Sequence, residues 1–122
     1  MDATFDDREL LLRAVWPADR RPDFWNNGRL SSAALKDKRG LSVNRTSDLP
    51  VENAVSLMSK KFSGLIVSIS VVACKAVDAY VKYCPSNDNI YHSEIHGSPT
   101  QIVLSDTQAL ILARRAKIEL ER

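Results

Sequence analysis

Both histidines of the chain fall in one short stretch, Tyr91-His92-Ser93-Glu94-Ile95-His96, whose alternation is the first feature that could do chemistry. On a strand, successive side chains point to opposite faces, so His92, Glu94 and His96 project together. Two imidazoles and a carboxylate on one face make a ligand set for a divalent metal, and a neutral imidazole there can also act as a general base. The same pattern arises when a strand buries Tyr91 and Ile95 and leaves its other face to water. Spacing alone keeps both accounts open. His92-Ser93-Glu94 also matches the His-x-Glu element of zinc nucleobase deaminases, but the Pro-Cys-x-x-Cys that completes that site is missing. No cysteine follows Glu94, and Cys84 opens a Cys-Pro pair.

Cys74 and Cys84 stand ten positions apart, which suits neither a C-x-x-C redox motif nor a zinc knuckle. Both read as small buried hydrophobes carrying free thiols. A Cys74 thiolate assisted by His92 requires a proximity that the sequence does not specify.

A second candidate is the loop from Trp16 to Gly28 and the basic residues around it. Arg20, Arg21, Arg29, Lys36, Lys38, Arg39 and Arg45 outnumber Asp19, Asp23 and Asp37, with Trp16, Phe24 and Trp25 interleaved. Such a loop can stack bases and neutralise phosphates, dock a protein through its Trp and Arg anchors, or turn its rings back onto the core. Trp16, Arg20, Arg21, Phe24, Trp25, Arg29 and Arg45 are the candidate binding residues, and Arg29 or Arg45 could hold a phosphate. P-loop, G-x-G-x-x-G, G-x-S-x-G and H-E-x-x-H signatures are absent.

The elements that must position these residues follow from periodicity. Thr4 is placed to cap a helix with Asp6, Asp7 and Glu9 in its first turns and Leu10, Leu11, Ala14 and Val15 facing the core. The prolines, asparagines and glycine between Trp16 and Gly28 leave no regular element there. Arg29 to Lys36 suits a short helix from Ser31 or Ser32, or a strand. Leu41-Ser42-Val43 alternates as a strand. Pro50 suits the first helical position, with Val51, Ala54, Val55, Met58 and Phe62 at helical spacing. Leu65 to Val72 reads as a central strand and 73–83 as helix or strand. Pro85 to Asn89 is a turn, and Ile90 to His96 a strand ending at Gly97. Ser105-Asp106-Thr107-Gln108 is a capping box for a long C-terminal helix with Ala109, Leu112, Ala113, Ala116 and Leu120 as its buried stripe. The expected fold is α+β: a small, three- to four-stranded, mostly antiparallel sheet with helices on one face.

Composition sets the outer bounds. A chain of 122 residues with 44% hydrophobic and 26% charged residues is expected to form a single globular domain over residues 1–122. A net charge of +2 is too weak to argue for nucleic acid or anionic membrane without local clustering. The start of the chain lacks the pattern of an export signal, and the apolar run from Gly64 to Ala73 is about half what a membrane span needs, so a cytoplasmic address without a membrane partner is expected. The cadence Gly28-Arg29-Leu30-Ser31-Ser32-Ala33-Ala34, Gly40-Leu41-Ser42-Val43 and Asn89-Ile90-Tyr91-His92-Ser93-Glu94-Ile95 resembles that of small bacterial proteins and implies no activity. The lack of catalytic signatures favours a non-enzymatic interaction or accessory protein without a cofactor, a subunit of a larger assembly or a homo-oligomer. The alternative is a divalent-metal- or His/Glu-assisted hydrolase, acting for example as a nuclease, on the His92/Glu94/His96 strip. Nucleic-acid binding stands third.

Overall fold

The computed structural model describes residues 5–121. Six strands form one antiparallel sheet: β1 (Leu10–Val15), β4 (Leu41–Arg45), β5 (Leu65–Ser70), β6 (Tyr80–Tyr83), β7 (His92–His96) and β8 (Lys117–Leu120), in the spatial order β6-β7-β4-β1-β5-β8. A separate ribbon pairs β2 (Trp25–Asn26) with β3 (Arg29–Leu30). The helices are α1 (Val51–Lys61), α2 (Val71–Ala76) and α3 (Asp106–Arg115). The α+β composition stands, but the sheet of three to four strands expected from the sequence is corrected to six plus the ribbon.

Two of the extra strands come from segments whose periodicity suits a helix. Leu10-Leu11-Leu12-Arg13-Ala14-Val15 is an interior strand between β4 and β5, with Leu11, Leu12 and Val15 buried. An interior strand covered on both faces shows an apolar run instead of alternation, and a short run of that kind does not distinguish strand from helix. Thr4, the proposed cap, lies outside the described residues. At the other end, α3 stops at Arg115, Ala116 turns extended (φ −66°, ψ 144°), and 117–120 close the edge of β5. The stripe reaching Leu120 is therefore a helix face followed by a strand. The capping box itself is present, with the Ser105 hydroxyl accepting from Gln108 N and the Gln108 amide accepting from Ser105 N.

Helices cover both faces of the sheet, not one. Leu12 and Ile66 pack beneath α1 with Ala54, Val55 and Met58. Their neighbours Leu11 and Val67 turn the other way, into the larger core with Leu35, Val43, Ile95, Leu112 and Ala113. Strand pleating makes adjacent residues diverge in this way. The strand expected from Leu65 to Val72 ends at Ser70, whose hydroxyl caps α2 from Val71, and the ambiguous 73–83 divides between the rest of α2 and β6. The loop read as irregular contains a 3-10 turn at Pro22–Phe24 and a hairpin whose central residues, Asn27 and Gly28, have φ of 51° and 79°. Two left-handed residues of the Asn-Gly type are what a tight hairpin twisting with its strands requires. Among the described residues, no helix is long and apolar enough to cross a membrane.

Candidate metal centre

The hairpin of β6 and β7 closes over the Pro85–Asn89 turn, and its register determines which side chains meet. Tyr80 pairs with His96, Lys82 with Glu94, and Tyr83 with Ser93. Cys84 continues the ladder, its backbone N–H donating to the His92 carbonyl at 3.1 Å. Cys84, His92 and Glu94 therefore share one face, while Ser93 and Ile95 are buried beneath. On the other side β4 sets Ser42 opposite Glu94 and Asn44 opposite His92. This face carries α1 further along the sheet, and Lys61 Nζ at the end of that helix donates to the Asp88 carbonyl in the β6–β7 turn at 2.7 Å.

One donor atom each from Cys84, His92 and Glu94 lies within 4.8 Å of the other two. The Glu94 carboxylate sits between the two imidazoles and treats them differently. His96 Nε2 is 2.7 Å from Oε1, a hydrogen bond, whereas His92 Nε2 is 3.5 Å from Oε2. The longer separation is poor for a hydrogen bond. It is close to the edge of a tetrahedral coordination sphere, since zinc contacts of about 2.0–2.1 Å to nitrogen and oxygen place two ligands roughly 3.4 Å apart. All three expected strip residues are thus brought together, but His96 orients Glu94 while Cys84 joins His92 and Glu94. Cys84 was read from the sequence as a buried hydrophobe. Drawing the hairpin closed over Pro85–Asn89 would have placed it opposite His92.

The electrostatics suit a cation. Burial pushes the Glu94 carboxyl up, but the opposing hydrogen bonds and charges of His96 and then His92 prevail and hold it below the usual carboxylate range. Burial, then the negative charge of Glu94, pushes the Cys84 thiol up, so the group stays protonated at neutral pH without a cation beside it. Gly40 makes the close approach possible. Its φ is +102°, and a Cβ there would stand 2.5 Å from Glu94 Oε1 and 3.1 Å from His96 Nε2.

The aromatic and basic candidates do not gather at this face. Trp25 and Phe24 pack against the core, and Trp25 Nε1 donates to the Trp16 carbonyl at 2.7 Å. Trp16 is 42% exposed with the Arg20 guanidinium 5.0 Å above its ring. Arg21 pairs with Asp23 and stacks on Phe24. Arg45 is not a surface phosphate ligand. It is held between Phe5 and Tyr83 and forms a two-pronged pair with Glu9 at 2.8 and 2.9 Å, with side chains 11% and 4% exposed. Arg29 lies in the ribbon at the β5–β8 end of the sheet, away from β7. Glu9, expected in the first turns of a helix, instead pairs with Arg45 and accepts from Ser47 N, and Arg13, between β1 and β4, escaped the sequence reading. No protein-family model matches the chain, and neither the curated proteins nor the solved structures yield a match.

Proposed function

We propose that this protein binds one divalent transition-metal ion of the zinc type through Cys84, His92 and Glu94, and uses the remaining coordination position to activate a water for hydrolysis. The observation that carries this reading is the convergence of a thiol, an imidazole and a carboxylate on one sheet face, with the carboxylate's second oxygen fixed by His96. Mixed sulfur, nitrogen and oxygen donors select zinc over calcium or magnesium, and three protein ligands leave a fourth position free. A hydrogen-bonded partner behind a ligand fixes its orientation, which is the role assigned to His96. Metal content measured after dialysis against limiting zinc tests the site. One equivalent is expected in the wild-type protein and none in Cys84→Ser or His92→Ala, whereas His96→Ala should bind about 10–100-fold more weakly. Zinc retained in Cys84→Ser and His92→Ala alike would place any metal elsewhere.

A second reading, docking to a protein or to another copy of the chain, is supported by the exposed Trp16 and the Arg20 stacked on it. Exposed Trp and Arg are the residue types that dominate interface energetics. Sedimentation of wild-type protein against Trp16→Ala tests the self-associating form: a dimer lost in the variant supports it, and identical monomers remove it.

A further inference from the structure

The metal centre and helix α1 share a small cleft on one face of the sheet. Ser42 stands opposite Glu94 and Asn44 opposite His92, so pleating turns both to the side of the ligands. Ala14 of β1 packs on the same side, with the cluster under α1. Met58 and Phe62, at the end of α1, close the space, leaving a cleft of about 110 Å³ walled by Ala14, Ser42, Asn44, Met58, Phe62 and His92. Two contacts hold Phe62 there. Its N–H donates to the Met58 carbonyl at 3.0 Å, and its neighbour Lys61 ties the helix end to the β6–β7 turn through the Asp88 carbonyl.

Lining and size restrict what can enter. Ala14, Met58 and Phe62 make an apolar wall, and no carboxylate lines the cleft. Arg13, at its base, alternates with Ala14 and turns with Leu11 and Val15 to the opposite face. Asn44 is already engaged, its Oδ1 accepting from Asn89 Nδ2 at 2.7 Å. An apolar cavity of about 150 Å³ holds benzene, so this smaller space suits a short carbon chain and not a ring. His92 and Ser42 belong to both places, His92 as ligand and wall, Ser42 as wall and as neighbour of Glu94. Adjacent strands lie about 4.8 Å apart, so the near wall at β4 is one short chain's length from the carboxylate.

We propose that the substrate hydrolysed at this centre carries a short aliphatic acyl group, of roughly two to four carbons, whose chain lodges between Ala14, Met58 and Phe62 while its carbonyl carbon lies at the ion. This assignment rests on the metal reading above. The water oxygen adds to the acyl carbon, the bond from that carbon to the leaving oxygen or nitrogen breaks, and a water proton passes to the leaving atom. A short carboxylic acid and an alcohol or amine are released. Each methylene buried against the apolar wall strengthens binding by roughly three- to fourfold.

The test is titration of zinc-loaded protein, isotope-labelled on its methionine methyl groups, with acetohydroxamate, butyrohydroxamate and benzohydroxamate, whose head group takes the open position on the ion. The chain has two methionines, so the Met58 signal is readily assigned. Butyrohydroxamate should bind roughly tenfold more tightly than acetohydroxamate and shift the Met58 methyl, while benzohydroxamate gains nothing from its ring. Ala14→Leu fills the cleft and should lose that preference while still taking up one zinc. If Ala14→Leu does not fold, Phe62→Ala removes the wall at the exposed rim and should lower the preference likewise. Zinc uptake with affinities indifferent to chain length, or a preference unchanged in these variants, would overturn the acyl cleft and leave the metal reading. In a protein that takes up no zinc the metal reading and the hydrolysis both fall, and n-butanol becomes the probe. A Met58 shift seen in the wild type and lost in Ala14→Leu would then keep the apolar cleft, and a Met58 methyl that does not respond would remove it too.

Discussion

The two thiols of the chain occupy opposite chemical situations, and this separates them experimentally. Cys74 is fully buried, and desolvation pushes its thiol up to about 12. Cys84 is half-buried at the rim of the site. A thiol reagent applied to native protein at mildly alkaline pH should therefore label Cys84 alone, as read by mass spectrometry, and zinc should protect it. Because a zinc-bound sulfur must be a thiolate, binding by a protonated Cys84 releases a proton and affinity should rise with pH. Glu94 acts in the other direction. Its folded pKa lies below the ordinary value, so the stabilisation it contributes is fully present above the ordinary carboxylate pKa and is lost as pH falls through the lowered one. Urea midpoints measured across that acid range should decline less in Glu94→Gln than in the wild type. At this scale the sequence was informative for His92, Glu94 and His96, because strand alternation is a local property. It misplaced Cys84 as a buried hydrophobe, because the position of that residue depends on which strand lies alongside.

Among the elements, the β6–β7 hairpin and the strand pair β1–β4 decide the geometry of the site. Gly40 at the start of β4 presses on the Glu94–His96 pair, and both its left-handed backbone and the lack of a Cβ are required there. Gly40→Ala should displace the carboxylate, weaken zinc binding and lower the melting temperature, because the positive φ strains any side chain there. At the far end of β4 the buried Glu9–Arg45 pair ties the segment before β1 to the strand. Removing one partner leaves an uncompensated buried charge, so Glu9→Ala should cost roughly 3–5 kcal/mol in a urea titration. The helix α1 and the capping box of α3 were legible because amphipathic spacing and cap chemistry are read within a few residues. β1 and β8 were not. β1 buries apolar side chains on both faces with Arg13 as its one polar residue, which does not distinguish a strand from a helix, and in Lys117–Leu120 the spacing from Ala116 to Leu120 continues a helix as readily as Lys-Ile-Glu-Leu alternates.

For the whole molecule, the consequence of six strands with helices on both faces is that the uncovered part of one face, at β6 and β7, becomes a site framed by α1. The other edge is closed by β8, which pairs with β5 across a register shift between Ile66 and Val67. Ser68 Oγ donates to Glu119 Oε2 at 2.7 Å along that pairing. Deleting residues 117–122 should expose β5 as an apolar edge and produce aggregation, measurable by light scattering, because an unprotected edge of this kind recruits other strands. The central claim concerns which atoms hold the ion, and cobalt(II) titration of the metal-free protein reports it most directly. The account predicts saturation at one equivalent with a thiolate-to-cobalt charge-transfer band and tetrahedral d–d absorption, the thiolate band vanishing in Cys84→Ser. One-equivalent binding without that band, or no saturable binding at all, would contradict it.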